Sequence, residues 1–212
     1  MQIILTAREP ELYAAWQHHC SELPNVTVHQ GSILELQCDA IVSPANSFGF
    51  MDGGLDLLYS QHFGWQVQQR LQQQIRTYHH GELLVGCAEI VETDNLRIPY
   101  VIAAPTMRVP MILQDSVNPY LAARAVLLLI TQGRFREGIL AGERVADAVQ
   151  TVAFPGLGTG VGKVGPHTCA HQVAEAINHV FNSANPLPQS WSDAQQRHQR
   201  LYTSLIRDLQ KP

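Results

Sequence analysis

Two glycine-rich stretches hold the residues best suited to chemistry in this 212-residue chain: residues 39–56 (DAIVSPANSFGFMDGGLD) and 151–165 (TVAFPGLGTGVGKVG). In each, a short β-type run opens into glycines and then into a helical pattern. Such an order of elements presents unpaired backbone N–H groups to an anion, because the first amides of a helix have no intrahelical acceptor. Glycine lets a phosphate approach the main chain closely and supplies positive φ where a tight turn requires it. Two such loops at the ends of parallel strands can grip the two phosphates of one diphosphate. The first loop also carries Asn46, an amide able to bond hydroxyls, and Asp52 and Asp56, carboxylates able to orient or activate a water.

Each of these residues has a plainer explanation that the sequence leaves open. An Asn after a strand is often a turn former or a helix cap. Asp52 and Asp56 flank Gly53-Gly54 and serve equally well as N-caps. Residues 160–165 satisfy GxGxxG, yet a dinucleotide site would put that string after the first strand of its unit, and here it falls late in the chain. Nor is Gly162-Lys163 part of a P-loop, because Leu157 and Val164 occupy the positions of the first glycine and the hydroxyl residue.

Other reactive side chains are less suggestive. The ten histidines include the adjacent pairs His18-His19 and His79-His80, whose rings diverge on a helix, and His167 with His171 at the i, i+4 spacing of a metal-binding face. No third ligand accompanies that pair, so no metal site is expected, and no cofactor. The four cysteines form no CxxC pair, which reads as buried reduced thiols in a cytoplasmic protein. No nucleophile elbow or triad is recognisable.

The segments that must hold the two loops alternate in type. Strands are expected at 2–6, 26–30, 39–43, 83–91, 100–104 and 152–154. Helices are expected at 10–20, 55–78 with a break near Phe63-Gly64, 118–132 and 167–181. Strands separated by helices predict an α/β domain in three α/β/α layers, with a mostly parallel, mixed central sheet and ligands at the carboxyl ends of the strands. This domain is expected to occupy 1–184. Asn185-Pro186-Leu187-Pro188 then reads as a linker into a polar, amphipathic helix at 191–209, packed on the domain through Trp191, Leu201, Leu205 and Ile206, or extending from it toward a partner.

Bulk properties bound the partners. With 45% hydrophobic residues the chain can bury a full core. Its net charge of −4 and scattered Lys and Arg make a duplex nucleic-acid surface unexpected. The longest purely apolar run, 125–130, is too short to cross a bilayer, and the first residues do not read as a signal peptide.

The combination of loops resembles the macro domain, the module that binds ADP-ribose. DAIVSPANS looks like that family's strand followed by its Ala-Asn pair, GFMDGGLD like its glycine run ending in aspartate, and PGLGTGVGKV like its phosphate-clasping loop. The likeness extends over about residues 2–181. It implies a macro-domain-like fold and a ligand that is ADP-ribose, free or attached to a macromolecule. Asn46, after Ala45, would hold the distal ribose. Gly53 and Gly54 would let the first loop pass close to the ribose and phosphate. Asp56 would orient a water at the anomeric carbon. Pro155, Gly156, Leu157, Gly158, Thr159, Gly160, Val161 and Gly162 would wrap the diphosphate. Gly31-Ser32-Ile33 stands where many members have Gly-Asp-Ile, with the aspartate accepting a hydrogen bond from adenine. Ser32 departs from that pattern, and so does the bulky Phe48-Gly49-Phe50-Met51, which caps the ribose or simply packs the loop. Hydrolysis of an ADP-ribosyl ester, in de-ADP-ribosylation or in deacetylation of O-acetyl-ADP-ribose, needs little more than a positioned water and one carboxylate of ordinary pKa. A non-catalytic module that binds ADP-ribose or a related nucleotide metabolite is the alternative.

Overall fold

A computed structural model describes residues 1–181 and 187–208. Six strands form one sheet in the order β2-β1-β6-β3-β5-β4. They are β1 (Gln2–Ala7), β2 (Val26–Gln30), β3 (Ala40–Ser43), β4 (Glu89–Glu92), β5 (Tyr100–Ala103) and β6 (Thr151–Phe154). All neighbours run parallel except β4, which pairs antiparallel with β5 at the edge.

Period-two alternation sends successive side chains to opposite faces of the sheet, and both faces are covered. Leu5, Val42, Ile102, Val152 and Phe154 pack with Trp16 and with the apolar stripes of α1 (Pro10–Cys20), α4 (Asn118–Gln132) and α6 (Pro166–Phe181). Ile41, Val101 and Ala153, one residue out of phase, pack with Tyr59, Val67, Leu71 and Ile75 of α2 (Gly54–Phe63) and α3 (Gln66–Tyr78). The result is the expected three-layer α/β/α arrangement with a mixed, mostly parallel sheet.

The break between α2 and α3 falls at Gly64, whose φ of 98° closes α2 with an N–H bond to the Ser60 carbonyl. A side chain is disfavoured in that left-handed region. The strand expected at 83–91 is shorter: only Glu89–Glu92 is β4. Leu83 is fully buried, but as a loop residue donating its N–H to the Ser47 carbonyl, and Gly86 turns the chain at φ 95°. Apolar burial there is reached without a ladder. A one-turn helix, α5 (Val145–Ala148), lies before β6 and was not expected.

The linker residues Asn185 and Pro186, and the boundary at 184, lie outside the described residues. The tail helix α7 (Trp191–Arg200) ends sooner than expected. It touches the domain where His171 on α6 bonds the Arg200 carbonyl at 3.0 Å, and Leu201 is buried. Trp191, Leu205 and Ile206, expected to pack, are instead exposed. Among the described residues no helix is long and apolar enough to cross a membrane.

Candidate functional site

The carboxyl ends of five strands open onto one cavity of about 460 Å³, within the size range of small-molecule sites. The loop after β2 brings Gly31, Ser32 and Ile33, β1 leads into Arg8 and Glu9, and β6 runs into the second glycine loop. β3 runs into the first loop, and β5 into a segment containing Thr106, Met107 and Pro110. The cavity is bordered by Ser32, Ile33, Asn46, Gly53, Gly54, Asp56, Pro155, Gly156, Gly158, Thr159, Gly160, Val161 and Gly162. Residues separated by more than a hundred positions are thus brought together.

Ala45 and Leu157 do not border it. Ala45 is buried behind the wall, its carbonyl accepting the Thr106 N–H at 3.1 Å. Leu157 is fully buried, and its N–H is directed at the Cys169 sulfur at 3.3 Å. Both fill the space between strand ends and helices, as small or aliphatic residues do.

The second loop is built to expose amides. Gly158 sits at φ 71°, and its carbonyl accepts the Val164 N–H at 3.1 Å, closing the loop between them. Among the described residues the N–H groups of Thr159, Gly160 and Val161 find no protein acceptor. Unpaired donors in a loop that borders a cavity suit an anion nest.

Asn46 organises its own loop. Its Oδ1 accepts from the N–H groups of Phe48 (3.1 Å) and Phe50 (3.3 Å), and its Nδ2 donates to the Phe50 carbonyl (2.7 Å). Both oxygen lone pairs and one of the two amide protons are used, leaving one N–H able to meet a ligand hydroxyl. The turn-forming and ligand-facing explanations are therefore compatible. Within the bulky run Met51 is fully buried and packs the loop down, while Phe50 is half exposed at the cavity rim.

Asp56 lies in the first turn of α2 and is 7% exposed. Its Oδ1 accepts a 2.5 Å hydrogen bond from the Ser43 hydroxyl at the end of β3. Burial pushes its pKa up to about 7, partly opposed by that hydrogen bond. The carboxylate is thus not the ordinary one the sequence suggests, but a group that titrates near neutrality, where a general base is most effective. Asp52, the other candidate base, is exposed at the mouth. Thr106 adds a buried hydroxyl with no partner among the described residues. Neither Ser43 nor Thr106 was singled out in the sequence, and the signal for Ser43 is its position as the last residue of a strand leading into the loop.

Ser32 caps a 3-10 turn, Ile33–Glu35, its hydroxyl accepting the Leu34 N–H at 3.3 Å while Glu35 reaches back to the Ser32 N–H at 3.4 Å. That capping box gives one lone pair of the Ser32 oxygen to the backbone.

Thiol chemistry finds no support in the site. Burial raises Cys20, Cys38 and Cys169 to about 12, far from the thiolate form a nucleophile needs. The Nδ1 of His167 lies 3.3 Å from His19 Nε2, and His171 is occupied with Arg200. Among the described residues no three His, Cys, Asp or Glu side chains are arranged to hold a metal ion.

Comparison with known proteins follows the same lines. A model of the Macro domain matches residues 42–173. A protein of Aquifex aeolicus (strain VF5) is 31% identical over 153 residues, spanning 72% of this chain and 81% of that one. Among solved structures, the macrodomain of Mycobacterium tuberculosis DarG superposes with a TM-score of 0.55 at 18% identity, over 74% of this chain and 90% of that one. A variant of the Oceanobacillus iheyensis macrodomain with ADPR gives 0.57 at 17%, over 81% and 86%. The Trypanosoma brucei macrodomain in complex with ADP-ribose gives 0.53 at 18%, over 73% and 56%. At such identities the structural likeness is one of fold.

Proposed function

This chain belongs to the macro domain family, and we propose that it binds ADP-ribose in the cavity between its glycine loops and hydrolyses ADP-ribosyl esters there. The observation that carries the proposal is the pairing, in one cavity, of an unpaired amide nest with a buried carboxylate that titrates near neutrality. An amide nest suits a diphosphate. The carboxylate suits activation of a water.

The order of the strand ends suggests how the ligand lies. Adenine meets the β2 end at Ser32 and Ile33, the adenosine ribose the β1 end, the diphosphate the β6 loop, and the distal ribose Asn46 at the β3 end. Asp56 then faces the anomeric carbon. Water attacks that carbon, Asp56 takes its proton, and the bond from the anomeric carbon to the ester oxygen breaks. The products are ADP-ribose and a free carboxylate, and Asp56 returns its proton to solvent. The leaving carboxylate is good enough to need no separate acid. Residues 1–184 would form the binding domain, with the exposed face of the tail helix α7 available to a partner.

The non-catalytic reading gains from one observation: Asp56 Oδ1 is already bonded to Ser43, so only its second oxygen is left for a water. Calorimetry with ADP-ribose, followed by incubation with a glutamate-ADP-ribosylated protein, tests both steps. Micromolar binding with release of ADP-ribose supports the hydrolase. Binding with the ester intact after hours leaves a reader.

Base selectivity should be weak, since Ser32 offers adenine no carboxylate and its hydroxyl already accepts the Leu34 N–H. We expect ADP-ribose and its inosine analogue to bind within a few fold of each other. Ser32→Asp keeps a good N-cap and adds an acceptor for the adenine amino group, sharpening discrimination by about 1–3 kcal/mol. Calorimetric titration of both ligands reads this. A native protein that already rejects the inosine analogue would move base recognition to another group.

A further inference from the structure

The rim of the cavity and the segment beside it carry a group of exposed apolar side chains. Phe50 from the first loop, Leu58 from α2, Val161 from the second loop, and Val109, Met111 and Ile112 from the segment after β5 are 43–60% exposed. Phe50, Leu58 and Val161 border the cavity directly, and Pro110 brings the post-β5 segment to it.

That segment is a strap tied at both ends. At its start Met107 bridges to Asn46, and the Arg108 carbonyl accepts the Ser47 N–H at 3.2 Å. At its end Leu113 turns inward and donates its N–H to the Gly162 carbonyl at 2.7 Å. Both anchors are residues of the two site loops or their immediate neighbours. The apolar side chains between them are therefore held at the mouth instead of folding into the core. Exposed apolar surface gathered around one opening marks a contact surface, whereas single exposed apolar residues do not.

What meets this collar is fixed by position and charge. The strap leaves from β5, beyond the β3 end where Asn46 and Asp56 lie, so it stands beside whatever is attached to the anomeric carbon. Its one cation, Arg108, is tied to Glu82 at 2.6 Å and lies over the Phe48 ring. The first loop and α2 contain no Lys or Arg at all. The second loop adds a single exposed cation, Lys163, and Arg8 borders the cavity at the β1 end, too few and too scattered to replace the counterions of a nucleic-acid backbone. A metabolite carrying only an acetyl group would leave the collar bare.

We propose that the collar docks an ADP-ribosylated polypeptide in which apolar residues flank the modified carboxylate side chain. The proposal rests on the ADP-ribose reading of the cavity and adds to it the class of molecule that carries the ester.

The test uses two glutamyl-ADP-ribosylated peptides that differ only in their flanks, Leu and Val in one, Ser and Lys in the other. Affinity is read by fluorescence anisotropy in an Asp56→Asn background, which holds the ester intact, and free ADP-ribose is titrated alongside. The apolar-flanked peptide should bind 10- to 100-fold more tightly, the range that one or a few apolar contacts give. Adding Met111→Ser and Ile112→Ser should remove most of that preference while ADP-ribose affinity stays unchanged. Equal affinity for the two peptides, or tighter binding of an ADP-ribosylated oligonucleotide, with ADP-ribose still bound, would overturn the collar alone. Failure to bind ADP-ribose would overturn the reading of the cavity beneath it.

Discussion

Gly160→Glu is expected to abolish ADP-ribose binding while leaving the fold and its melting temperature intact. A Cβ at Gly160 would meet no atom within 4 Å, and the residue borders the cavity, so a side chain there enters open space. That space is where the diphosphate would lie against the amides of the second loop. A carboxylate about 5 Å from each of two phosphate charges costs about 3 kcal/mol per pair at an effective dielectric of 20. The combined penalty exceeds a hundredfold in affinity. Neighbouring glycines would not give so clear a result. A Cβ on Gly162 would stand 2.5 Å from the Gly158 carbonyl oxygen, and one on Gly156 would strike Thr159 and Leu12. Those variants distort the loop as well as blocking it. Calorimetry with ADP-ribose and a thermal melt of the same sample make the check. Unchanged affinity in Gly160→Glu would remove the second loop from the site.

Asp56→Ala should cut turnover of an ADP-ribosyl ester by roughly 10²–10⁴-fold, the usual range for loss of one general base. Binding should change far less, because the amide nest is untouched. The pH profile supplies an independent reading. With Asp56 pushed up to about 7 by burial, the base is protonated and idle in acid. Turnover under saturating substrate should rise through neutrality and level off above about pH 8, unlike the flat profile of an ordinary carboxylate over that range. In Asp56→Ala the residual rate should lose that rise. Asn46→Ala offers a contrast. It removes the brace of the Phe48–Phe50 turn along with any ribose contact, and so weakens binding and turnover together.

Much of this arrangement was legible because it rests on local patterns. Apolar runs such as AIVS and TVAF, each followed by glycines, gave the parallel strands and the loops at their ends. Phe63-Gly64 gave the helix break. What escaped depends on contacts between distant segments. Leu83 is as buried as any strand residue, and only the Ser47 carbonyl above it and the turn at Gly86 make it a loop. Leu157 looks like part of a phosphate loop in sequence, but the Cys169 sulfur twelve residues on draws its amide inward. The raised pKa of Asp56 comes from burial under packed layers, which outweighs the opposing hydrogen bond from a hydroxyl thirteen residues earlier, and neither is visible in the composition of the loop. The strap between Met107 and Leu113 has no motif at all, and its role follows only from where its two ends are fastened.

The burial of Asp56 also ties the working range of the site to the resilience of the whole fold. A carboxyl whose pKa is about 7 when folded and 3.8 when unfolded favours the native state in its protonated form. The sign follows directly: between those values the native state holds a proton that the unfolded state has lost, so stability falls as pH rises, by up to roughly 4 kcal/mol. The empty protein should therefore melt most easily in the pH range where its base is ready. Asp56→Asn, which keeps the shape and sheds the charge, should resist urea better than the native chain at pH 8 and no better at pH 4. Ligand acts in the opposite direction by mass action, restoring margin in proportion to the logarithm of its concentration over Kd. On the ADP-ribose reading of the cavity, solutions short of ligand would hold this protein in its most easily unfolded condition, and ligand-rich ones would shelter the same molecules from proteolysis.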